Sequence, residues 1–133
     1  MTNAIGIALT GLNAASKRVE ASASNIANAT TAGSLTDLAN PPYTPVTVQS
    51  RAQGETGGVL SDIVPRNNPI STAYAPNSPF ADENGLAGVP NVDYAEEIVN
   101  LKLAEISYKA NINTITIQNE LYDSLLNAVD KKV

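Results

Sequence analysis

The 133-residue chain contains no cysteine, no histidine and no tryptophan, and a single phenylalanine. It can therefore form no disulfide, no thiolate nucleophile and no imidazole metal ligand. A serine nucleophile would have to rely on a lysine, and Lys17, Lys102 and Lys109 fall in helical patterns with no pocket implied. Also missing is any run approaching the ~20 apolar residues of a membrane helix. Asn3, Thr10, Asn13 and Ser16 interrupt the N-terminal stretch, which does not fit the continuous apolar run of a cleaved secretory signal. The eight Lys and Arg residues are scattered in ones and twos, and the net charge is -5. That pattern excludes the clustered basic surface on which phosphate backbones are bound. What remains is the composition of one soluble, mildly acidic domain, with no nucleic acid, cofactor or metal expected.

Against these absences stand two terminal segments with apolar residues at seven-residue intervals: Ile5, Leu12, Val19 and Ile26 at the front, and Tyr94, Leu101, Tyr108, Ile115, Tyr122 and Val129 at the back. Such spacing predicts helices that pack lengthwise. The first is expected from about Asn3 to about Asn28. Positions three beyond each heptad residue are small (Ala8, Ala15, Ser22), so a neighbouring helix can approach closely. A plain amphipathic helix covering its own core fits this segment equally well.

After Ala29 the chemistry changes to turn and loop residues, and Asn40-Pro41-Pro42 forbids further helix. Tyr43 to Gln49 alternates with β-branched residues, and Val59 to Val64 follows the Gly57-Gly58 pair, which predicts one small β-hairpin. Five prolines between Pro65 and Pro90 predict an irregular segment, with apolar Ile70, Tyr74, Phe80 and Leu86 recurring along it. The expected fold is therefore mainly α: an N-terminal helical part (1–30), a loop and short-strand insert (31–90) and a C-terminal helical part (91–133). Together they make one elongated domain in which the terminal helices form a coiled-coil-like pair.

From Asn91 onward there is neither Gly nor Pro, so the second helix could reach about 35 to 40 residues, a rod of roughly 55 Å. A compact domain of this length, with a radius of gyration near ~14 Å, cannot cover it. The rod carries two apolar stripes, one through Ile98, Leu101, Ala104, Tyr108, Ile112, Ile115, Tyr122, Leu125 and Val129, the other through Val99, Leu103, Ile106, Ala110, Ile117, Leu121 and Ala128. One can pack on the first helix; the second implies a partner, unless both belong to a single broad core face.

Candidate chemistry is sparse. Asp82-Glu83 and Glu96-Glu97 are neighbours in sequence and do not converge as acid-base pairs must. Glu96 and Glu97 read as first-turn acids of a helix capped by Asp93. Asp82 to Gly85 reads as a turn, because the alternating acids of a calcium loop are missing. Neither Gly57-Gly58 nor Gly85 and Gly88 carries the lysine or the spacing of a phosphate loop.

Ser24-Asn25-Ile26-Ala27-Asn28 followed by Thr30-Thr31 resembles the signature of flagellar axial proteins. A second block comprises Tyr74 to Asp82, Gly85-Leu86, Pro90-Asn91-Val92-Asp93, Glu97 and Tyr108-Lys109-Ala110-Asn111. It is similar to the flagellar basal-body rod proteins of the proximal, FlgC-like type. Pro42-Tyr43, Gly58-Val59 and Ile63-Val64 also fall where that family has its strand residues. Ser107, Asn40-Pro41 and Ile98 depart from its usual pattern. The resemblance implies a non-enzymatic structural subunit exported through the flagellar type III apparatus. It would polymerise into a helical tube around the export channel and transmit torque. Implied partners are copies of itself, other rod proteins, the motor-ring or export-gate adaptor at one end and the distal rod at the other.

The subunit interface is expected at Ile5, Leu12, Val19, Asn25, Ile26 and Asn28 on the first helix. On the second it is expected at Leu101, Leu103, Ile106, Tyr108, Ile112, Ile115, Ile117, Leu121, Tyr122 and Leu125. The competing classes are a helical adaptor or export chaperone binding one partner helix, and a small hydrolase using Asp82 or Glu83.

Overall fold

The two stretches free of proline become long helices, α1 from Thr2 to Ala27 and α2 from Tyr94 to Asp130, in a computed structural model that describes residues 2–54 and 57–130. The last three positions of the expected C-terminal helical part lie outside the described residues. α1 closes where the Asn28 amide and the Asn28 side chain both donate to the Ser24 carbonyl (3.1 and 3.0 Å). α2 opens on Asp93, whose carboxylate accepts the N–H groups of Ala95 (2.8 Å) and Glu96 (3.3 Å). Asp93 thereby satisfies two of the donors that every helix start leaves unpaired.

Four strands lie between the helices. β1 (Val46–Ala52) pairs antiparallel with β2 (Val59–Pro65), from Val46 opposite Pro65 to Ala52 opposite Val59. Their connection needs positive φ at Gly57 (+71°) and Gly58 (+92°), which glycine adopts without steric cost. β3 (Ile70–Tyr74) pairs antiparallel with β4 (Leu86–Pro90) across a longer loop. In that loop the Asp82 carboxylate accepts from the N–H groups of Asn84 and Leu86, both at 2.8 Å. A bridge between Gly33 and Gly88 ties this second hairpin to the segment that follows α1.

The expectation of a mainly α chain with one hairpin and an irregular Pro-rich segment is overturned. Helix accounts for about half of the chain and strand for about a fifth, and the strands form two antiparallel hairpins. The physical reason lies in where the prolines fall. Pro65 and Pro90 stand at strand ends, Pro69 precedes β3, and Pro76 and Pro79 sit in the connecting loop, so none interrupts a ladder interior.

The helices run antiparallel. Asn25 bonds Glu97, and Gly11 comes so close to Asn111 that a Cβ on Gly11 would lie 2.5 Å from the Asn111 Oδ1. These two contacts are fourteen residues apart on each helix. The other face of α1 takes the first hairpin: Thr10 Oγ1 accepts from the Val59 N–H (3.0 Å) and the Lys17 ammonium donates to the Ser61 carbonyl.

Among the described residues the buried apolar core consists of the alanines Ala8, Ala14, Ala15, Ala21, Ala87 and Ala104, with Pro42, Pro45 and Pro90 buried beside them. The largest fully buried side chains are Glu97, Asn25 and Pro45. The seam is thus not a zipper of interdigitating large residues but a close approach of small ones around a polar centre. The accessible surface is 8791 Å². A compact monomer of this mass would expose about 6,600 Å².

Candidate assembly surface

Two regions carry the functional information: a polar cluster where the end of α1 meets the start of α2, and the outer face and far end of α2. The cluster is built on Asn25, which is 0% exposed. Its amide group donates to the Val46 carbonyl (2.8 Å) and to Glu97 Oε1 (2.9 Å). Its carbonyl accepts from the Val46 N–H (2.8 Å) and from the Tyr43 hydroxyl (3.1 Å). All four hydrogen-bonding positions of the amide are used. Glu97, 1% exposed, also takes a 2.6 Å ion pair from Arg66, whose guanidinium lies 3.5 Å from Glu96. The Arg66 N–H in turn donates to the Pro45 carbonyl (2.8 Å). One side chain on α1 thus joins the start of β1, the end of β2 and the first turn of α2.

Beside the cluster a cleft of about 180 Å³ opens between α1, β1 and α2, lined among others by Arg18, Val48, Arg66, Asn100 and Leu103. It is open, polar and small, and the carboxylate within it is already paired with Arg66. Elsewhere Asp82 is held in its turn by backbone N–H groups, chiefly that of Leu86, which lower its pKa below the ordinary carboxylate value. Glu83 is exposed beside it. No opposing acid or base faces either group among the described residues.

The expected interface residues separate into three sets. Asn25 is interior and spends its side chain within the chain; Asn28 serves the helix end, as described above. Ile5, Leu12, Ile26, Leu101, Ile115 and Tyr122 are partly covered. Val19, Leu103, Ile106, Tyr108, Ile112, Ile117, Leu121 and Leu125 are exposed, with Ile106 and Ile117 both at 56%. Ile98, Val99, Leu126 and Val129 extend the bare apolar surface, and from Asp123 to Asp130 every residue is exposed.

Sequence reasoning missed Arg66 and gave Glu97 no partner. Glu97 had a dipole explanation that made a partner unnecessary, but only Glu96 of that pair is exposed. The available signal was periodic. Glu97, Ala104, Asn111 and Gln118 stand three beyond successive heptad residues of α2, just as Ala8, Ala15 and Ser22 do on α1. A polar side chain at a position otherwise kept small on a packed seam needs an internal partner.

Residues 5–33 match the family model described as flagella basal body rod protein. Over 131 residues the chain is 37% identical to the flagellar basal-body rod protein FlgC of Salmonella typhimurium, covering 94% of this chain and 96% of that one. It is 34% identical, with the same coverage, to FlgC of Escherichia coli O6:H1. With FlgC of Yersinia enterocolitica it shares 37% identity over 91% of this chain and 92% of the relative.

Proposed function

We infer how this subunit assembles from the premise that the chain belongs to the flagellar basal-body rod protein family, and is therefore a structural component of that rod. Its outer α2 face and the exposed end of α2 are seats for neighbouring subunits, copies of itself or other rod proteins. The observation that carries this reading is the mismatch between what is apolar and what is covered. Among the described residues no large aliphatic or aromatic side chain is fully buried, while Val99, Leu103, Ile106, Ile117 and Leu121 stand more than half exposed on one side of α2. The excess over a compact monomer, roughly 2,200 Å², exceeds the ~800 Å² that one standard interface takes from each partner. The area is enough for a neighbour on either side.

Contacts of this kind are heterologous, since the α2 face of one subunit meets a different surface on the next. Heterologous contacts that do not close into a ring build an open helical array. In a tube built this way the long helices lie lengthwise in the wall around a central channel. The hairpins, tied to the helix ends by hydrogen bonds, brace neighbours against rotation, which is what torque transmission requires. The subunit needs no cofactor for such work, and we assign it no catalytic residue.

The test is Ile106→Asp and Ile117→Asp. Each puts a charge where an apolar contact is expected, and leaving a charge buried without a partner costs about 3–5 kcal/mol. Both variants should fold and be exported yet be absent from isolated basal bodies, leaving cells non-motile. Normal motility in both would remove the α2 face from the interface.

A further inference from the structure

We propose that the buried cluster of Asn25, Glu97 and Arg66 is the register lock of the helix pair, choosing between two alignments one heptad apart that the spacing of the large apolar residues does not distinguish. On α1 the large residues Ile5, Leu12, Val19 and Ile26 alternate with small Ala8, Ala15 and Ser22 at a strict seven-residue period. On α2 the large residues Leu101, Tyr108, Ile115, Tyr122 and Val129 repeat at the same period. The 26-residue α1 is shorter than the 37-residue α2. Sliding α2 by one heptad, ~10.5 Å, sets residues 102–127 where 95–120 stand and keeps the large residues of both helices at the same seven-residue phase over the same length.

The polar positions break this degeneracy. In the slid alignment Asn25 faces Ala104 instead of Glu97, and Gly11 faces Gln118 instead of Asn111. Asn25 then loses a hydrogen bond, while Glu97 is drawn away from both Asn25 and Arg66. A single buried polar group that fixes helix register is the best attested use of such groups. The Gly33–Gly88 bridge tethers the same two helix ends without setting their alignment. The connections free of strand pairing are 28–32 after α1 and 91–93 before α2, and eight extended residues reach up to ~27 Å together, more than the slide requires.

The register decides which part of α2 is left bare. In the observed alignment residues 123–130 are uncovered; the slid one would cover most of them and expose the first turns of α2 instead. That consequence rests on the assembly reading above; the lock itself rests only on the geometry within one chain.

The absence of native cysteine makes the register directly readable by disulfide formation. The pair Gly11→Cys with Asn111→Cys reports the observed alignment, and Gly11→Cys with Gln118→Cys and Asn111→Ala the slid one, in the purified full-length chain under mild oxidation. With the cluster intact only the 11–111 disulfide should form in quantity. With Asn25→Leu, Glu97→Leu and Arg66→Met together, the 11–118 disulfide should rise to a yield comparable with 11–111 while helicity is kept. With Asn25→Ala alone it should rise in the same direction. If either background, still helical, gives 11–111 as the only substantial product, the lock does not exist. Loss of helicity together with both disulfides in both backgrounds would also overturn it, by showing that the cluster holds the whole fold and not its alignment. Incorporation into basal bodies, measured separately without the cysteines, should fall in step with the slide. A variant that slides yet assembles normally would uphold the lock and sink the assembly reading.

Discussion

The two ends of the helix pair are built on opposite principles. Where the end of α1 meets the start of α2, Asn25, Tyr43, Val46, Arg66 and Glu97 form a closed set of hydrogen bonds and ion pairs, shielded from water by both helices and the first hairpin. At the other end Leu125, Leu126 and Val129 stand about half or more exposed to solvent. One end spends polar side chains on specifying a single arrangement, and the other leaves apolar side chains unspent. Apolar burial is the larger and less directional source of free energy, and polar satisfaction is the more specific one. The division therefore suits a subunit that must hold its own shape at one end and gain stability from neighbours at the other.

The contrast can be broken most visibly at the bare end. Leu121→Asp combined with Leu125→Asp should change the chain's own unfolding free energy by no more than about 0.5 kcal/mol each, as is usual for exposed positions. The same pair should abolish rod incorporation, measured by motility and by the content of isolated basal bodies. At the polar end the sign reverses: Glu97→Leu alone leaves Arg66 only its 3.5 Å contact with Glu96, strands one Asn25 donor and should cost about 2 kcal/mol in urea unfolding. An equally stable variant would show that the cluster contributes nothing to the isolated chain.

A sharper probe of the tether is Gly33→Ala, because a Cβ there would lie 2.2 Å from the Pro42 nitrogen and 2.3 Å from the Pro41 carbonyl carbon. Both obstacles are backbone and cannot swing away, so the cost should be at least about 2 kcal/mol. Gly6→Ala is the control, since a Cβ at Gly6 meets nothing within 4 Å. In mid-helix it should instead stabilise by up to about 1 kcal/mol.

The smallest effect concerns surface charge. Lys102 and Lys109 hold the Glu105 carboxylate down to about 2, with the hydrogen bond from Lys102 the leading cause. A folded-state pKa below the unfolded one means that its contribution is present above pH ~4.5 and is lost as pH falls toward 2. Glu105→Gln should therefore flatten the acid limb of thermal stability slightly and leave the neutral side almost unchanged. Added salt should reduce even that difference, because the pairs are exposed.

Helices and their ends were legible because their determinants are local. A long stretch without proline, an Asp at the cap and a period of seven can all be read within a few turns. The first hairpin was legible for the same reason, since Gly57-Gly58 lies directly between its strands. The second was not. Eleven residues separate β3 from β4, too many for a tight hairpin turn to mark the pairing, and Pro76 and Pro79 among them read as irregular chain. In the candidate interface, residues on the outer face of α2 could be named from periodicity. Asn25 was named for the right helix but placed at the surface, since no local rule says that an Asn will find a Glu seventy-two residues away.

The sequence by itself determined the two terminal helices, their heptads, the cap at Asp93, the β1–β2 turn and the lack of any thiol or imidazole. All of these follow from covalent geometry, side-chain type and spacing over short range. Only the tertiary structure decided that the Pro-rich segment holds a second hairpin, that Glu97 is a buried ion-pair partner and not merely a first-turn acid, and which stripe of α2 lies bare. Those outcomes depend on strand pairing and polar satisfaction between distant parts of the chain, where the free energy of a residue is set by what it meets and not by what it is.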